Sequence, residues 1–325
     1  MKILFITSNR IGDAVLSTGV LNRLISTYPE SKITVASGPI ASTIFNLTPN
    51  VINIIKLKKQ KYSLHWFYLW SQVYNNFWDL VIDLRSSLIS FVLLSKSRKI
   101  YKKYPNIIHK VRQLSNILGD GFPPQSPKIY IDKNISNISD SLINKNIPTI
   151  AIGPCANWGG KVWPSENFIN LIKRITNKKN HFKNARVAIF SSKEESAMAL
   201  PIVNALPKEM CINLTGKVDL LTAYACISNC SVYIGNDSGL MHLAAASGTP
   251  TLGLFGPSPE KVYRPWGENC DFVRTPRSFE EIISQTDYDY RDQRSHMLDL
   301  SVELVEKAVI KLLKKNNTSL NNECS

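Results

Sequence analysis

Short apolar runs alternate with amphipathic helical stripes along almost the whole chain, and few folds accept that pattern. Residues 2–7, KILFIT, form the first run. An apolar run this short, bounded by polar residues, reads as a strand buried on both faces of a parallel sheet. Val15, Leu16, Val20, Leu21, Leu24, Ile25 and Tyr28 follow at helical spacing. They predict a helix from about Ala14 to Tyr28, ended by Pro29. Lys32–Ala36, KITVA, is the next predicted strand, and the helix supplies the crossover that parallel neighbours need. Further strands are predicted at 52–57 and at Leu80–Leu84.

The pattern restarts at Thr149–Gly153, TIAIG. Strands are predicted there, at Ala185–Phe190, at Ser231–Ile234 and at Thr251–Phe255, with a short one near Asn213–Leu214. Helices are predicted at 165–176, 194–206, 219–228, Gly239–Ala246 and about Val302–Lys315. Residues 120–149 mix Gly, Pro, Ser and Asn and hold the domain boundary. The expected fold is α/β, with domains 1–148 and 149–315 facing a shared cleft. The polar tail 316–325 is expected to be disordered.

The net charge of +14 is unevenly spread. Residues 1–148 hold 19 Lys and Arg against 7 Asp and Glu, a net +12; residues 149–325 hold 20 against 18, a net +2. The densest stretch is Lys96, Arg98, Lys99, Lys102 and Lys103, followed by Lys110 and Arg112. A solvated face is the plain explanation. An excess confined to one domain also suits an anionic partner, either an acidic membrane surface or a large acidic substrate. No helix-turn-helix, zinc-finger or RNA-recognition signature is present, so nucleic acid is not expected. The aromatic stretch KYSLHWFYLWSQVYNNFW (61–78) suits a helix packed on the sheet, and contact with a membrane surface is the alternative. No run of eighteen apolar residues and no cleavable leader occurs, so a cytoplasmic protein is expected. The six cysteines show one close pair, Cys226 and Cys230, without a second. Reduced, mostly buried thiols and no metal are expected.

Three places carry chemistry. The turn after SVYI reads GNDSGLMHLAAA (235–246). Asp237 or Ser238 can cap the helix, and Gly239 lets a ligand approach the backbone. The first N–H groups of the helix and its dipole make a site for a diphosphate, with His242 one turn on. A plain cap with no ligand is the competing reading. The second place is GPCANWGGKVWP (153–164). Six residues separate Gly153 from Gly160 and Val162 follows Lys161, so this is not a Walker loop. Lys161 can still meet a phosphate, or it can be a surface lysine. The third place is Asp13, after the first strand, which can cap its helix or act as a general base toward a bound hydroxyl.

Together these segments resemble glycosyltransferase family 9, the lipopolysaccharide heptosyltransferases. KILFITSNRIGDAVLSTGVLNRLISTYP looks like the family's opening strand, Gly-Asp turn and helix. GPCANWGGKVWPSENF looks like its Lys-x-Trp-Pro segment, and GNDSGLMHLAAASGTPTLGLFGPSPEKVYRPWG like its Asp-Thr-Gly-Leu-x-His-Leu block, with Ser238 in place of the usual Thr. The resemblance implies two Rossmann-like domains of the GT-B type, the first holding the acceptor and the second an ADP-sugar. It implies inverting transfer without a metal or other cofactor. By position, Asp13 is the base. Lys161, Asp237, Ser238, Gly239 and His242 hold the donor, with Asn157 as a further candidate. Glu194 or Glu195 meets the donor's ribose or sugar, and Val218 lines the adenine pocket. Arg10, Lys99 and Lys102 are candidate acceptor contacts. The implied partners are the ADP-sugar and the anionic lipopolysaccharide core, with peripheral contact at the inner membrane left open. Alternatives are another nucleotide sugar, a protein or capsule acceptor, or a non-catalytic sugar-nucleotide-binding protein.

Overall fold

The computed structural model describes residues 1–102, 107–119, 123–177, 182–286 and 288–323, with side chains as far as Asn316. The chain divides into two compact units, Met1–Asp132 and Lys133–Ser325.

In the first unit, the strands are β1 (Lys2–Ile6), β2 (Lys32–Ser37), β3 (Val51–Lys56), β4 (Trp78–Asp83) and β5 (Ser95–Ile100). They form one parallel sheet in the order β3-β2-β1-β4-β5. The helices are α1 (Ile11–Thr27), α2 (Leu64–Val73), α3 (Ile89–Val92) and α4 (Lys110–Ser115). The chain runs outward from β1 on one side and then returns to β4 on the other. The carboxyl ends of β1 and β4 therefore flank a topological switch point, where open sheets of this kind bind ligands. The stretch 61–78 packs as a helix: His65, Leu69 and Val73 are buried at helical spacing. Leu69 and Val73 share a core with Leu4, Ile6, Trp78, Ile89 and Leu93. The outward side of α2 leaves Leu64, Phe67 and Tyr68 exposed.

The second unit holds β6 (Thr149–Gly153), β7 (Arg186–Ile189), β8 (Cys211–Asn213), β9 (Val232–Asn236), β10 (Thr251–Phe255) and β11 (Cys270–Arg274). They form a second parallel sheet, ordered β11-β10-β9-β6-β7-β8. Its switch point lies between β6 and β9. The helices are α5 (Lys133–Leu142), α6 (Ser165–Ile175), α7 (Ser196–Ala205), α8 (Leu220–Ser228), α9 (Gly239–Ala246), α10 (Glu260–Tyr263), α11 (Phe279–Ile283) and α12 (Val302–Glu323). Ile150, Ile152, Val232 and Ile234 form one core with Phe168 and Leu171 of α6 and with Val305, Val309 and Leu312 of α12.

Several expectations are corrected. Helix α5 belongs to the second unit, whereas the sequence reading gave residues 1–148 to the first domain. Asn229, just after α8, explains the assignment: its side chain donates to Asp140 at 2.9 Å and to Ser139 at 3.3 Å. The tail expected from residue 316 is helical through Glu323, because a helix nucleated on a core extends at little cost. The densest basic run is partly a strand, β5, whose exposed Lys96 and Arg98 suit an edge position. Lys103, in the same run, lies outside the described residues. Cys226 and Cys230 are buried free thiols one helical turn apart, and burial pushes the Cys226 thiol up to about 12. Among the described residues, no helix is long and apolar enough to cross a membrane.

Candidate functional site

The second switch point is built by three loops. β9 ends at Asn236, which is fully buried. Its side chain donates to the Pro154 carbonyl at 2.7 Å and accepts from the Trp163 N–H at 3.2 Å. One asparagine thus ties the end of β9 to both ends of the loop after β6. Trp163 is itself fully buried, and its indole N–H donates to the Leu300 carbonyl at 2.8 Å. The same loop is laced to the segment before α12. Trp158 donates to the Asp292 carbonyl at 2.6 Å, Gly159 N–H to the Gln293 side chain at 2.9 Å, and His296 N–H to the Gly160 carbonyl at 3.0 Å. A Cβ at Gly159 would stand 2.2 Å from the Gln293 carbonyl oxygen, so only glycine admits this crossing. The loop ends in a 3₁₀ turn, Gly159–Lys161, that presents Lys161.

Lys161 meets Asp237 at 2.5 Å, with side-chain exposures of 23% and 6%. Ser238 holds the N-cap position of α9, yet no side chain caps that helix. The expectation that Asp237 or Ser238 would cap it is therefore corrected: Asp237 is engaged by Lys161. Gly239 opens α9, and His242, 4% exposed, follows one turn later with its N–H on the Ser238 carbonyl at 3.5 Å. The structure thus gathers Lys161, Asp237, Ser238, Gly239 and His242 around one helix N-terminus. Asn157 lies exposed in the loop after β6.

Two more loops border this end of the sheet. Glu195 is half-buried, bonded to the Ser192 hydroxyl at 3.0 Å, and its carbonyl accepts from the Cys155 thiol at 3.6 Å. Burial and the Glu195 charge push that thiol up to about 12. Glu194 is exposed. Val218, half-buried, lies in the loop between β8 and α8. Gly216, at φ +63°, lets that loop lie against Lys193, and its N–H donates to the Ser191 carbonyl at 2.9 Å. The loops of Glu195 and Val218 are therefore neighbours.

In the first unit, Asp13 stands in the first turn of α1, just after β1. The N-cap is Arg10, exposed, so Asp13 is not the cap. A carboxylate here favours the helix dipole, and Ser8 donates to it at 3.4 Å. Across the switch point, Asp83 is fully buried at the end of β4. It accepts from Ser87 N–H at 2.7 Å, the Ser87 hydroxyl at 2.6 Å and Arg85 N–H at 2.8 Å, and also from the Ser90 hydroxyl. Arg85 in turn donates to Asn9, next to Arg10, at 3.2 Å. Lys99 lies on β5 with its ammonium on the Leu118 carbonyl at 2.8 Å, and Lys102 is exposed beyond the strand. The sequence reading gave no role to Asp83, nor to Asn236 and Trp163, although these two lie within the turn and the Lys-x-Trp-Pro segment it singled out. Their partners are distant in the chain or are short turn residues with no signature. Among the described residues, no group of three or more His, Cys, Asp or Glu could hold a metal ion.

The chain is similar in sequence and fold to known proteins. Lipooligosaccharide heptosyltransferase 2 of Haemophilus influenzae is 25% identical over 311 residues, covering 84% of this chain and 88% of the relative. A family 9 glycosyltransferase structure from Veillonella parvula superposes with a TM-score of 0.79 at 21% identity, covering 97% of both chains. The structure of Escherichia coli ADP-heptose LPS heptosyltransferase II gives 0.76 at 21% identity, covering 98% of this chain and 100% of that one. These two structures share the GT-B fold of paired Rossmann-like units. The family model for glycosyltransferase family 9 (heptosyltransferase) matches residues 82–287, from the end of β4 past β11. With more than half of its length inside that match, the chain belongs to glycosyltransferase family 9, the heptosyltransferases.

Proposed function

We propose that this glycosyltransferase moves a heptose or related sugar from an ADP-sugar to the anionic inner core of lipopolysaccharide, inverting the anomeric carbon. The H. influenzae relative is named for lipooligosaccharide heptose transfer, and the E. coli structure for ADP-heptose. The observation that carries the donor side is the convergence of Lys161, His242 and the N-terminus of α9 at the second switch point.

The acceptor oxygen attacks the anomeric carbon as its bond to the diphosphate breaks and ADP departs. Asp13 takes the hydroxyl proton. Lys161, His242 and the first N–H groups of α9 stabilise the charge growing on the diphosphate. Asp237 holds the ammonium of Lys161 in place, and Ser238 and Gly239 form the edge that the phosphates approach. No metal enters this reading, because those donors take the leaving-group charge. Glu195, rather than exposed Glu194, meets the ribose or sugar, since its loop borders Cys155 and the switch point. Val218 lines the adenine, and Asn157 is a further donor contact. Arg10, Lys99 and Lys102 meet anionic groups of the acceptor. The first unit touches the cytoplasmic face of the inner membrane. Its support is the exposed aromatic side of α2 beside exposed Lys58, Lys59 and Lys61.

Purified protein offered a panel of nucleotide sugars with an acidic core acceptor should prefer ADP-heptose. Preference for another nucleotide would overturn the donor assignment. Asp13→Ala should lower turnover by about 10²- to 10⁴-fold while ADP binding is retained. Unchanged turnover would remove Asp13 from the role of base.

A further inference from the structure

Helix α2 connects β3 to β4, two strands of one parallel sheet, so it runs against the strands. Its N-terminus therefore lies at the carboxyl end of the first sheet. His65, Leu69 and Val73 recur every four residues and form its inward stripe. Leu69 and Val73 enter the core of the sheet. His65 opens the stripe, at a position where that spacing suits a third aliphatic side chain, and it is 6% exposed. Its Nδ1 is enclosed without a hydrogen-bond partner among the described residues. A buried polar nitrogen left unpaired destabilises a fold, and leucine at this position would avoid that cost.

The surroundings of His65 are cationic. Arg85 follows β4, and the fully buried Asp83 carboxylate fixes its backbone N–H at 2.8 Å. The Arg85 guanidinium lies 5.6 Å from the centre of the Trp66 ring, beside His65 on α2. It donates to the Asn9 side chain, just after β1, at 3.2 Å. Three segments at the first switch point thus hold this guanidinium in one direction, and among the described residues no carboxylate pairs with it. Burial holds the His65 imidazole below its usual pKa, and the charges of Arg85 and Lys59 lower it further. No carboxylate is among the charges that act on it. No side chain caps α2, so the positive end of that helix adds to the same field.

We propose that His65 and Arg85 form an anion subsite that takes a phosphate or carboxylate group on the acceptor sugar, with Lys59 adding attraction from the rim. This deepens the reading of the first unit as the acceptor-binding part and rests on it. The guanidinium offers the planar fork that matches such groups, and the imidazole offers a donor beside it. Asp83 and Asn9 set the direction of the fork, and the Trp66 ring supports its flat face. An anion there offsets the charges of Arg85 and Lys59, so binding raises the pKa of His65.

The first test uses the full-length protein with isotope-labelled histidines and inorganic phosphate as the probe. The His65 signal, identified by its loss in His65→Gln, should move saturably as phosphate is added, and its pKa should rise. In Arg85→Gln the same titration should need about tenfold more phosphate, the loss expected for a hydrogen bond to a charged group. Arg85 is exposed, so this variant should fold as the wild type does. A His65 signal that phosphate leaves in place, or that responds equally in Arg85→Gln, would overturn the proposal. This readout needs no turnover and so is separate from the assignment of the reaction. The second test is kinetic: Arg85→Gln should raise KM for an acidic acceptor about tenfold, with kcat and the donor KM little changed. An unchanged acceptor KM with weaker cosedimentation on anionic vesicles would assign the anion to a lipid headgroup and overturn the acceptor subsite. Failure of the wild type to use any acidic acceptor, with His65 still responding to phosphate, would instead overturn the acceptor reading on which the proposal rests.

Discussion

At the scale of single residues, the pair Lys161–Asp237 shows how burial assigns unequal weight to two partners. Asp237 is almost enclosed, whereas the Lys161 side chain keeps 23% of its surface. A buried carboxylate that loses its cation is costly, while a lysine that loses its anion can extend toward water. Lys161→Ala should therefore lower stability by about 3 kcal/mol at neutral pH. Asp237→Asn should cost only about 1 kcal/mol, the value of an ordinary hydrogen bond. Denaturant unfolding of the two variants checks this, and equal losses would contradict the asymmetry. Sequence motifs selected both residues. They did not show that the two neutralise each other across 76 positions, because ion pairing between loops leaves no local trace. The choice between Glu194 and Glu195 was equally closed to sequence. Adjacent residues of one type have one propensity, and in the structure they differ in that Glu195 is half-buried and accepts from the Ser192 hydroxyl whereas Glu194 is exposed.

At the scale of elements, apolar runs revealed themselves and polar elements did not. β6, α9 and β10 match their sequence-based bounds, since each is enclosed and composed accordingly. β5 reads SKSRKI, an edge strand whose polar side chains erase the apolar signal. α5 reads KNISNISDSL, with Ser139 its only buried residue, so its few apolar side chains do not stand out from the polar stretch around it. Its position nevertheless has an energetic consequence. Ile143, just past α5, is fully buried, and Asn229 spans from α8 to the end of α5. A polypeptide of residues 133–325 should thus be more stable than one of residues 149–325 by about 2–4 kcal/mol, from one buried aliphatic side chain and several hydrogen bonds. Thermal melting of the two measures the difference, and equal stabilities would place the true start of the second unit at residue 149.

At the scale of the whole molecule, charge and chemistry are divided between two units of one architecture. The excess of +12 lies in residues 1–148, which also expose Leu64, Phe67 and Tyr68 on α2 and Phe91 and Val92 on α3. α2 and α3 cover the same sheet face through Leu69, Val73, Ile89 and Leu93. Aromatic side chains beside lysines suit an anionic bilayer. The protein should cosediment with vesicles containing anionic lipid more than with neutral ones. Phe67→Ser with Tyr68→Ser should reduce that binding, and binding equal to wild type would exclude this face. The sequence by itself determined where the apolar, buried strands lie along the chain, that they belong to parallel sheets, and the family block around α9. Each of these is written in local hydrophobic period or in contiguous motif residues. Only the tertiary structure decided that Asn236 clasps the Lys161 loop, that Asp83 anchors the first switch point, and that the Tyr233 hydroxyl lies over Gly153 and Gly235. The physical reason is that strand register, set by the packing of whole sheets, brings together residues that no local interaction along the chain connects.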